Sequence, residues 1–372
     1  MAGVDNLVFL AYSATVMRVL AIETSCDETS AAIIAGDWVV GAGHAEPVRP
    51  LAHVVRSQIV THQAFGGVVP EVAAREHLAY MVPMVAKVMA DAGVDKDGID
   101  AIAVTVGPGL APALRVGVEV AKTLAVAWGK PLVPVCHLEG HIYASWLGQA
   151  APEFPVLAVI VSGGHTELVL MKNHGEFERI GETIDDAAGE AFDKVAKMLG
   201  LPYPGGPAVE KLAVGGDEKA FAFPRAMMEQ VKSEKEKVKS VGFDFSFSGV
   251  KTAVLYTLRD NEEKMSDEKF RRDIAASFQE AVVDVLVKKA AKAVAKYRPA
   301  SVVLAGGVAA NVVLRTRLQE MGERLGVAVH VPPFAYSLDN AAMIGAAGCF
   351  RFALGHTADP LTVQAQPNMD IA

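Results

Sequence analysis

The apolar run Val19-Leu20-Ala21-Ile22-Glu23, the polar cluster Thr24-Ser25-Cys26-Asp27-Glu28-Thr29 and the run Ala31-Ala32-Ile33-Ile34 follow one another near the start of this 372-residue chain. Apolar run, polar turn and apolar run read as a β-hairpin. The plan returns in the second half. Val156-Leu157-Ala158-Val159-Ile160-Val161 is a strand, Ser162-Gly163-Gly164-His165-Thr166 a glycine-rich turn, and Leu168-Val169-Leu170 the return strand. Each hairpin is followed later by a strand that passes through glycine into a helix. The first is Ile102-Ala103-Val104-Thr105-Val106 into Gly107-Pro108-Gly109; the second is Val302-Val303-Leu304-Ala305 into Gly306-Gly307-Val308-Ala309-Ala310-Asn311. This repetition predicts a duplicated α/β architecture, not a short-period array.

Helical material fills the intervals. Val72, Leu78, Met81, Val82, Val85 and Met89 recur at helical spacing and predict a helix over 70–93, opened by Pro70-Glu71. Further helices are expected over 113–128, 187–199, 270–297 and 339–354, with a short strand at 131–135 and a loop-like tail after His356. The mixed-charge run at 231–237 reads as a solvated helix face or loop.

Composition sets bounds. Hydrophobic residues make up 51% and charged residues 21%, an ordinary globular balance for a chain of about two domains. The three cysteines, Cys26, Cys136 and Cys349, are sparse and form no CxxC pair, which fits a reducing cytosol and buried thiols. No apolar run reaches the length of a membrane span. The segment before Met17 has no basic start of the secretory kind and reads as a disordered extension. A net charge of −8 does not describe a general nucleic-acid binder.

Gly107-Pro108-Gly109 leads into a helix N-terminus, a place suited to phosphate, although simple turn geometry explains it equally well. The pairs Gly163-Gly164, Gly205-Gly206 and Gly306-Gly307 stand at element junctions, where missing side chains let a ligand approach the backbone. Together they predict a cleft for a phosphate or nucleotide. His137-Leu138-Glu139-Gly140-His141 places two imidazoles at i and i+4, on one helical face, and such a pair can chelate a divalent metal. It lacks the HExxH order of zinc proteases. Asp339, where a helix begins, is a candidate third ligand, or merely an N-cap. Two histidines and a carboxylate would leave coordination positions open. Asp27 and Glu28 in the first turn, and Asp185, Asp186, Glu190 and Asp193, are candidate acids and bases.

These segments together resemble the tRNA N6-adenosine threonylcarbamoyltransferase family, formerly called O-sialoglycoprotein endopeptidase, in its bacterial form. The resemblance runs from Met17 to about Phe352. It is carried by Ile22 through Thr29, Gly66-Gly67-Val68-Val69-Pro70-Glu71, the His137/His141 pair, Val161 through Thr166, Asp185 through Lys194, Phe243 through Thr252, Ala305 through Asn311, and Asp339-Asn340. Ser337-Leu338 stands where relatives commonly have Cys-Thr.

The resemblance implies an actin-like ATPase fold (ASKHA), with two duplicated ribonuclease-H-like lobes around a cleft. Residues 1–16 would be the disordered extension. Residues 17–135 would form the N-terminal lobe, completed by a helix at about 339–355, and 136–338 the C-terminal lobe. It implies one divalent metal per subunit on His137, His141 and Asp339, with iron(II) the first expectation and zinc or magnesium as alternatives. Nucleotide contacts would fall on Ile160, Val161, Ser162, Gly163, Gly164, Asp193, Gly206, Glu210 and Asn311. Asp27 and Glu28 would support catalysis.

The implied reaction takes a threonylcarbamoyl group from L-threonylcarbamoyladenylate to N6 of the adenosine 3′ of the anticodon, in tRNAs reading codons that begin with A, and releases AMP. Implied partners are tRNA, a paralogous actin-like subunit and a small P-loop ATPase, in the cytoplasm and without a membrane. Lys288, Lys289, Lys292, Lys296 and Arg298 are candidate phosphate contacts, or else a solvated helix face. An actin-like kinase or ATPase would not need the histidine pair, and a non-catalytic paralogous scaffold would be expected to lack the metal ligands.

Overall fold

The computed structural model describes residues 16–37, 48–148, 150–228 and 242–371. The first half runs β1 (Val16–Glu23), β2 (Glu28–Asp37), β3 (Arg49–Ser57), α1 (Ile59–Gln63), α2 (Pro70–Ala92), β4 (Ala101–Gly107), α3 (Ala111–Trp128), β5 (Leu132–Cys136) and α4 (His137–Tyr143). The second runs β6 (Val156–Val161), β7 (Thr166–Asn173), β8 (Glu176–Glu182), α5 (Ala188–Met198), α6 (Gly205–Ala213), α7 (Ser248–Arg259), α8 (Glu268–Tyr297), β9 (Ser301–Ala305), α9 (Val312–Leu325), β10 (Ala328–His330) and α10 (Ala341–Ala353).

The two sheets have one topology. Their strand orders are β3-β2-β1-β4-β5 and, from the matching edge, β8-β7-β6-β9-β10. In each, a hairpin strand pairs antiparallel with its return strand and parallel with the later strand: β1 with β2 and β4, β6 with β7 and β9. The duplication read from the sequence is therefore a duplication of strand order and direction.

Period-2 alternation divides the first sheet between two layers. Leu20, Ile22, Ile102 and Val104 face a core with Met81, Val85 and Val88 of α2 and Val118 of α3. Val19, Ala21, Ala32, Ala101 and Ala103 face the opposite way, toward α10. The second sheet packs against α8 and the helices around it through Leu157, Val159, Val302 and Leu304. Its other face, with Ala158, Ile160, Val303 and Ala305, joins the layer that holds α4 and α10. That middle layer is the heart of the molecule. α4 lies on β6 and β9, α10 lies on β1 and β2, and the two helices touch. At their contact Gly140 has no side chain; a Cβ there would come within 2.6 Å of Ile344 Cδ1 and 3.3 Å of Met343 Cγ. Glu139, from the same turn of α4, is buried and paired with Arg351 of α10 at 2.9 Å.

Several expectations need adjustment. Strands β3, β8 and β10 and helices α1, α6 and α7 are present where the sequence pattern predicts no element. The last helix begins at Ala341, with Asn340 as its N-cap accepting from Met343 N–H at 3.0 Å. Asp339 is not the cap, so its carboxylate is left for other work. Residues 1–15 and the charged run at 231–237 lie outside the described residues, while Val16 already belongs to β1. Lys289 is no surface cation: it is 1% exposed, and its Nζ donates to the Met227 and Asp244 carbonyls at 3.0 and 2.5 Å. Lys292 donates to the Met228 carbonyl, and Lys288 pairs with Asp284. Among the described residues, no helix is long and apolar enough to cross a membrane.

Candidate active site

The inter-sheet helices carry the ligand set. α4 opens with His137, so His137 and His141 share one face, and the loop into α10 delivers Asp339 to that face. Asp339 Oδ1 lies 3.5 Å from His137 Nε2 and 3.2 Å from His141 Nε2. The two rings stand edge to face with centroids 4.6 Å apart. One ligand atom from each of the three residues falls within a 4.8 Å span.

The donor set fits a cation. Both nitrogens of His141 are buried and make no aligned hydrogen bond, although Asp339 is close. A buried imidazole without partners is costly, and a shared metal would satisfy its lone pair. His137 is held on its far side. Its Nδ1 lies 3.1 Å from Glu23 Oε2 and 3.1 Å from Ser25 Oγ. Donation from Nδ1–H to the carboxylate leaves Nε2 unprotonated and aimed at Asp339, the usual support for a metal-bound histidine. Glu23 in turn accepts from Thr105 Oγ1 at 2.6 Å and from the Ser25 amide.

Charge balance points the same way. Burial would raise the Glu23 carboxyl, but His137 and the Thr105 hydroxyl outweigh it and hold Glu23 below its ordinary range. Burial likewise opposes ionisation of Asp339, yet His137 and His141 hold it well below the carboxylate range. Burial lowers His141, whereas Asp339 and Glu23 overcome burial to raise His137. Glu28 is pushed well above its ordinary value by burial and by the nearby carboxylates of Asp339 and Asp27. Acidic groups crowd one point, a field that favours a cation.

Beside this point lies a cavity of about 350 Å³ between the lobes, within the usual size range of ligand pockets. Asp27, Glu28 and Ile59 line one side. Gly163, Asp193, Tyr203, Gly206, Glu210, Gly307 and Asn311 line the other, and Asp339 and Leu338 reach in between. Each of the three glycine pairs thus gives one residue to the wall. The Asp339 side chain keeps 23% of its exposure, so the ligand cluster opens toward this space.

Ile160 and Val161 are wholly buried in β6, so their side chains face the core. Ser162 closes the turn, with its Oγ accepting from His165 N–H at 3.1 Å; neither it nor Gly164 lines the cavity. Asp193 accepts from the Gly205 amide at 2.7 Å at the start of α6, and burial raises its carboxyl. Asn311 caps α9 by accepting from Leu314 N–H and donates to Gln279, while Glu210 accepts from Val312 N–H at 2.7 Å. Of the other acids, Asp185 accepts from Ser246, Phe247 and Ser248, and Asp186 pairs with Lys194 and Lys251. Neither lines the cavity.

Gly306, at φ +90°, sits where a Cβ would meet the Val161 carbonyl oxygen at 2.5 Å. Only glycine lets that turn close on the end of β6. The equivalent turn of the first half is filled by the protein itself: Gly109 N–H donates to the Pro367 carbonyl, and Leu110 N–H to the Ser25 carbonyl. The phosphate expectation at Gly107-Pro108-Gly109 is therefore not met. Glu23 escaped the sequence reading as a site residue. Its signal was a carboxylate closing an otherwise apolar strand.

The fold and the site define a class: a two-lobed protein of the actin-like ATPase fold with a His-His-Asp group able to hold a metal ion at its cleft. Two solved structures share the fold. HypF of T. kodakarensis aligns with TM-score 0.59 over 95% of this chain and 51% of its own, at 13% identity. Full-length HypF in its phosphate- and nucleotide-bound form aligns with TM-score 0.57 over 92% and 47%, at 15% identity.

The family is given by sequence. The model for tRNA N6-adenosine threonylcarbamoyltransferase (TsaD) matches residues 49–346. Relatives of that name include one from Moorella thermoacetica, 48% identical over 96% of this chain and 98% of the relative. Another, from Halalkalibacterium halodurans, is 49% identical over 95% and 96%. This chain belongs to the tRNA N6-adenosine threonylcarbamoyltransferase family, and it is a threonylcarbamoyl-transferring enzyme.

Proposed function

We propose that the cavity holds L-threonylcarbamoyladenylate and that the enzyme transfers its threonylcarbamoyl group to N6 of the adenosine 3′ of the anticodon, in tRNAs reading codons that begin with A. The observation that carries this reading is that Asp339, of the His137/His141/Asp339 group, shares with Asp27 and Glu28 the wall of a glycine-turned cavity. In the reaction the adenosine amine attacks the carbamoyl carbon, the bond from that carbon to the phosphate oxygen breaks, and AMP leaves. One amine proton passes to a carboxylate. Glu28, which lines the cavity wall, is one candidate for this role. Asp27, beside it, is the other candidate.

The amides at Gly163, Gly206 and Gly307 and the polar atoms of Asn311 and Glu210 would seat the adenylate. A divalent cation, iron(II) in our reading, would be held by His137, His141 and Asp339 and would neutralise charge on the donor. Glu23 keeps His137 in the tautomer that this needs. The target base lies in a single-stranded loop, so no duplex has to be opened.

We assign residues 17–135 with α10 to one lobe and 136–338 to the other, closing on the donor between them. The net charge of −8, the burial of Lys289 and the intramolecular bonds of Lys288 and Lys292 leave Lys296 and Arg298, with partner proteins, to meet tRNA phosphates. A paralogous actin-like subunit and a small P-loop ATPase, in the cytosol, fit that need. Single-turnover transfer from threonylcarbamoyladenylate to unmodified tRNA tests the reading. Wild type should give modified adenosine, and Asp27→Asn/Glu28→Gln should slow it by about 100-fold or more. A double variant as fast as wild type would remove these carboxylates from the mechanism.

A further inference from the structure

We propose that His77, with Gln58 and His62, is a positioning unit that fixes the loop carrying Asp27 and Glu28 for proton transfer. The inference rests on the acid role given to that loop above.

All three side chains are buried: His77 and His62 are 0% exposed and Gln58 is 2% exposed. They come from α1, its N-terminal flank and α2, and they form one directional chain. Val69 N–H, at the mouth of α2, donates to His62 Nδ1 at 3.3 Å. His62 Nε2–H therefore donates to Gln58 Oε1 at 3.1 Å. That leaves the Gln58 amide nitrogen as the donor, near Thr29 Oγ1, His77 Nδ1 and the Ala73 carbonyl at 3.3–3.4 Å. Thr29 Oγ1–H donates to His77 Nδ1 at 2.7 Å. His77 Nε2–H then donates to the Cys26 carbonyl at 3.0 Å.

The two ends demand the same tautomers, because an amide can only donate and a carbonyl can only accept. A second arm closes the unit, as Gln58 N–H donates to the Asp27 carbonyl at 2.9 Å. Two consecutive peptide carbonyls of the acid loop are thus pinned by this unit, while the carboxylates themselves project into the cavity. Buried side-chain networks commonly end on backbone groups, so the informative point is where a network ends. This one terminates on the main chain between Ser25, which contacts His137, and Glu28. It also gives the Gly66-Gly67-Val68-Val69 segment a task, since the turn presents Val69 N–H to His62. Burial holds His77 below the ordinary imidazole range, in keeping with a neutral ring.

The test is steady-state transfer over a range of donor and tRNA concentrations, with partner proteins present, for His77→Ala, His77→Gln and His62→Ala. Metal content, donor affinity and melting temperature are read on the same samples. The expected result for His77→Ala is a kcat about 10- to 100-fold lower, with KM for donor and tRNA and metal content near wild type. His77→Gln, whose amide can still reach the Cys26 carbonyl, should recover much of that loss. If His77→Ala does not fold, His62→Ala at the far end of the chain should show the same kcat-selective loss at about 3- to 10-fold. A folded, metal-loaded His77→Ala within about threefold of wild type would overturn the proposal. So would losses in which kcat, KM and melting temperature fall together and Gln rescues nothing. Asp27→Asn/Glu28→Gln runs beside them: full activity there overturns the acid-loop reading itself, whereas its loss with His77→Ala intact overturns the positioning unit alone.

Discussion

Glu23 Oε2 lies 3.1 Å from His137 Nδ1, and both side chains are buried at the end of β1 and the start of α4. The pair joins the first hairpin to the middle layer. It makes the last residue of β1 the partner that orients His137, whose other nitrogen lies 3.5 Å from Asp339.

Glu23→Gln keeps the shape and an acceptor for His137 but removes the charge. We predict metal affinity reduced by about 10- to 100-fold, read by competition with a chromophoric chelator. Unchanged affinity would mean that Glu23 only packs.

Gly306→Ala should destabilise the protein. The φ of +90° strains a Cβ, and the Val161 carbonyl lies 2.5 Å from where it would sit. Denaturant unfolding is expected to show a loss of at least about 2 kcal/mol. A loss below about 0.5 kcal/mol would show that the turn opens freely.

Glu167 gives a pH dependence. Burial pushes its carboxyl up to about 7, with Arg179 opposing and Asp370 and Glu182 adding to the rise, and Oε2 is buried without a hydrogen bond. The folded pKa lies above the unfolded one, so the folded state holds the proton more tightly. The associated stability is present below about pH 4.5 and is lost as pH rises to about 7. Glu167→Gln does not titrate. Its melting temperature relative to wild type should climb between pH 5 and pH 8, by the equivalent of roughly 2–3 kcal/mol. A difference that stays flat over this range would contradict the assignment.

Much of the architecture was legible because it rests on local pattern. β1, β4, β6 and β9 are apolar runs ended by polar or glycine turns, and α2 carries helical spacing that buries Met81 and Val85, although Leu78 and Val82 of the same pattern are exposed. The missed strands have physical reasons. β3 and β8 lie at sheet edges, where Arg49, Arg56, Glu176 and Glu178 are tolerated and no alternation stands out. β10 has only three residues. α6 begins on glycine and is recognisable only through the Asp193 carboxylate that meets its first amide. In the site, His137, His141 and Asp339 were readable as residue types. The roles of Glu23, Gly140 and Asn340 were not, because each depends on two segments distant in sequence meeting in the middle layer.

The most direct test compares wild type with the His137→Ala/His141→Ala double variant, supplied with partner proteins, threonylcarbamoyladenylate and unmodified tRNA. Modified adenosine is followed by mass spectrometry, and bound metal is measured on the same samples. Wild type should carry about one metal per chain through its three-ligand group and form product, while the folded double variant carries none and forms none. Equal product from the two proteins would contradict a role for this centre in the transfer.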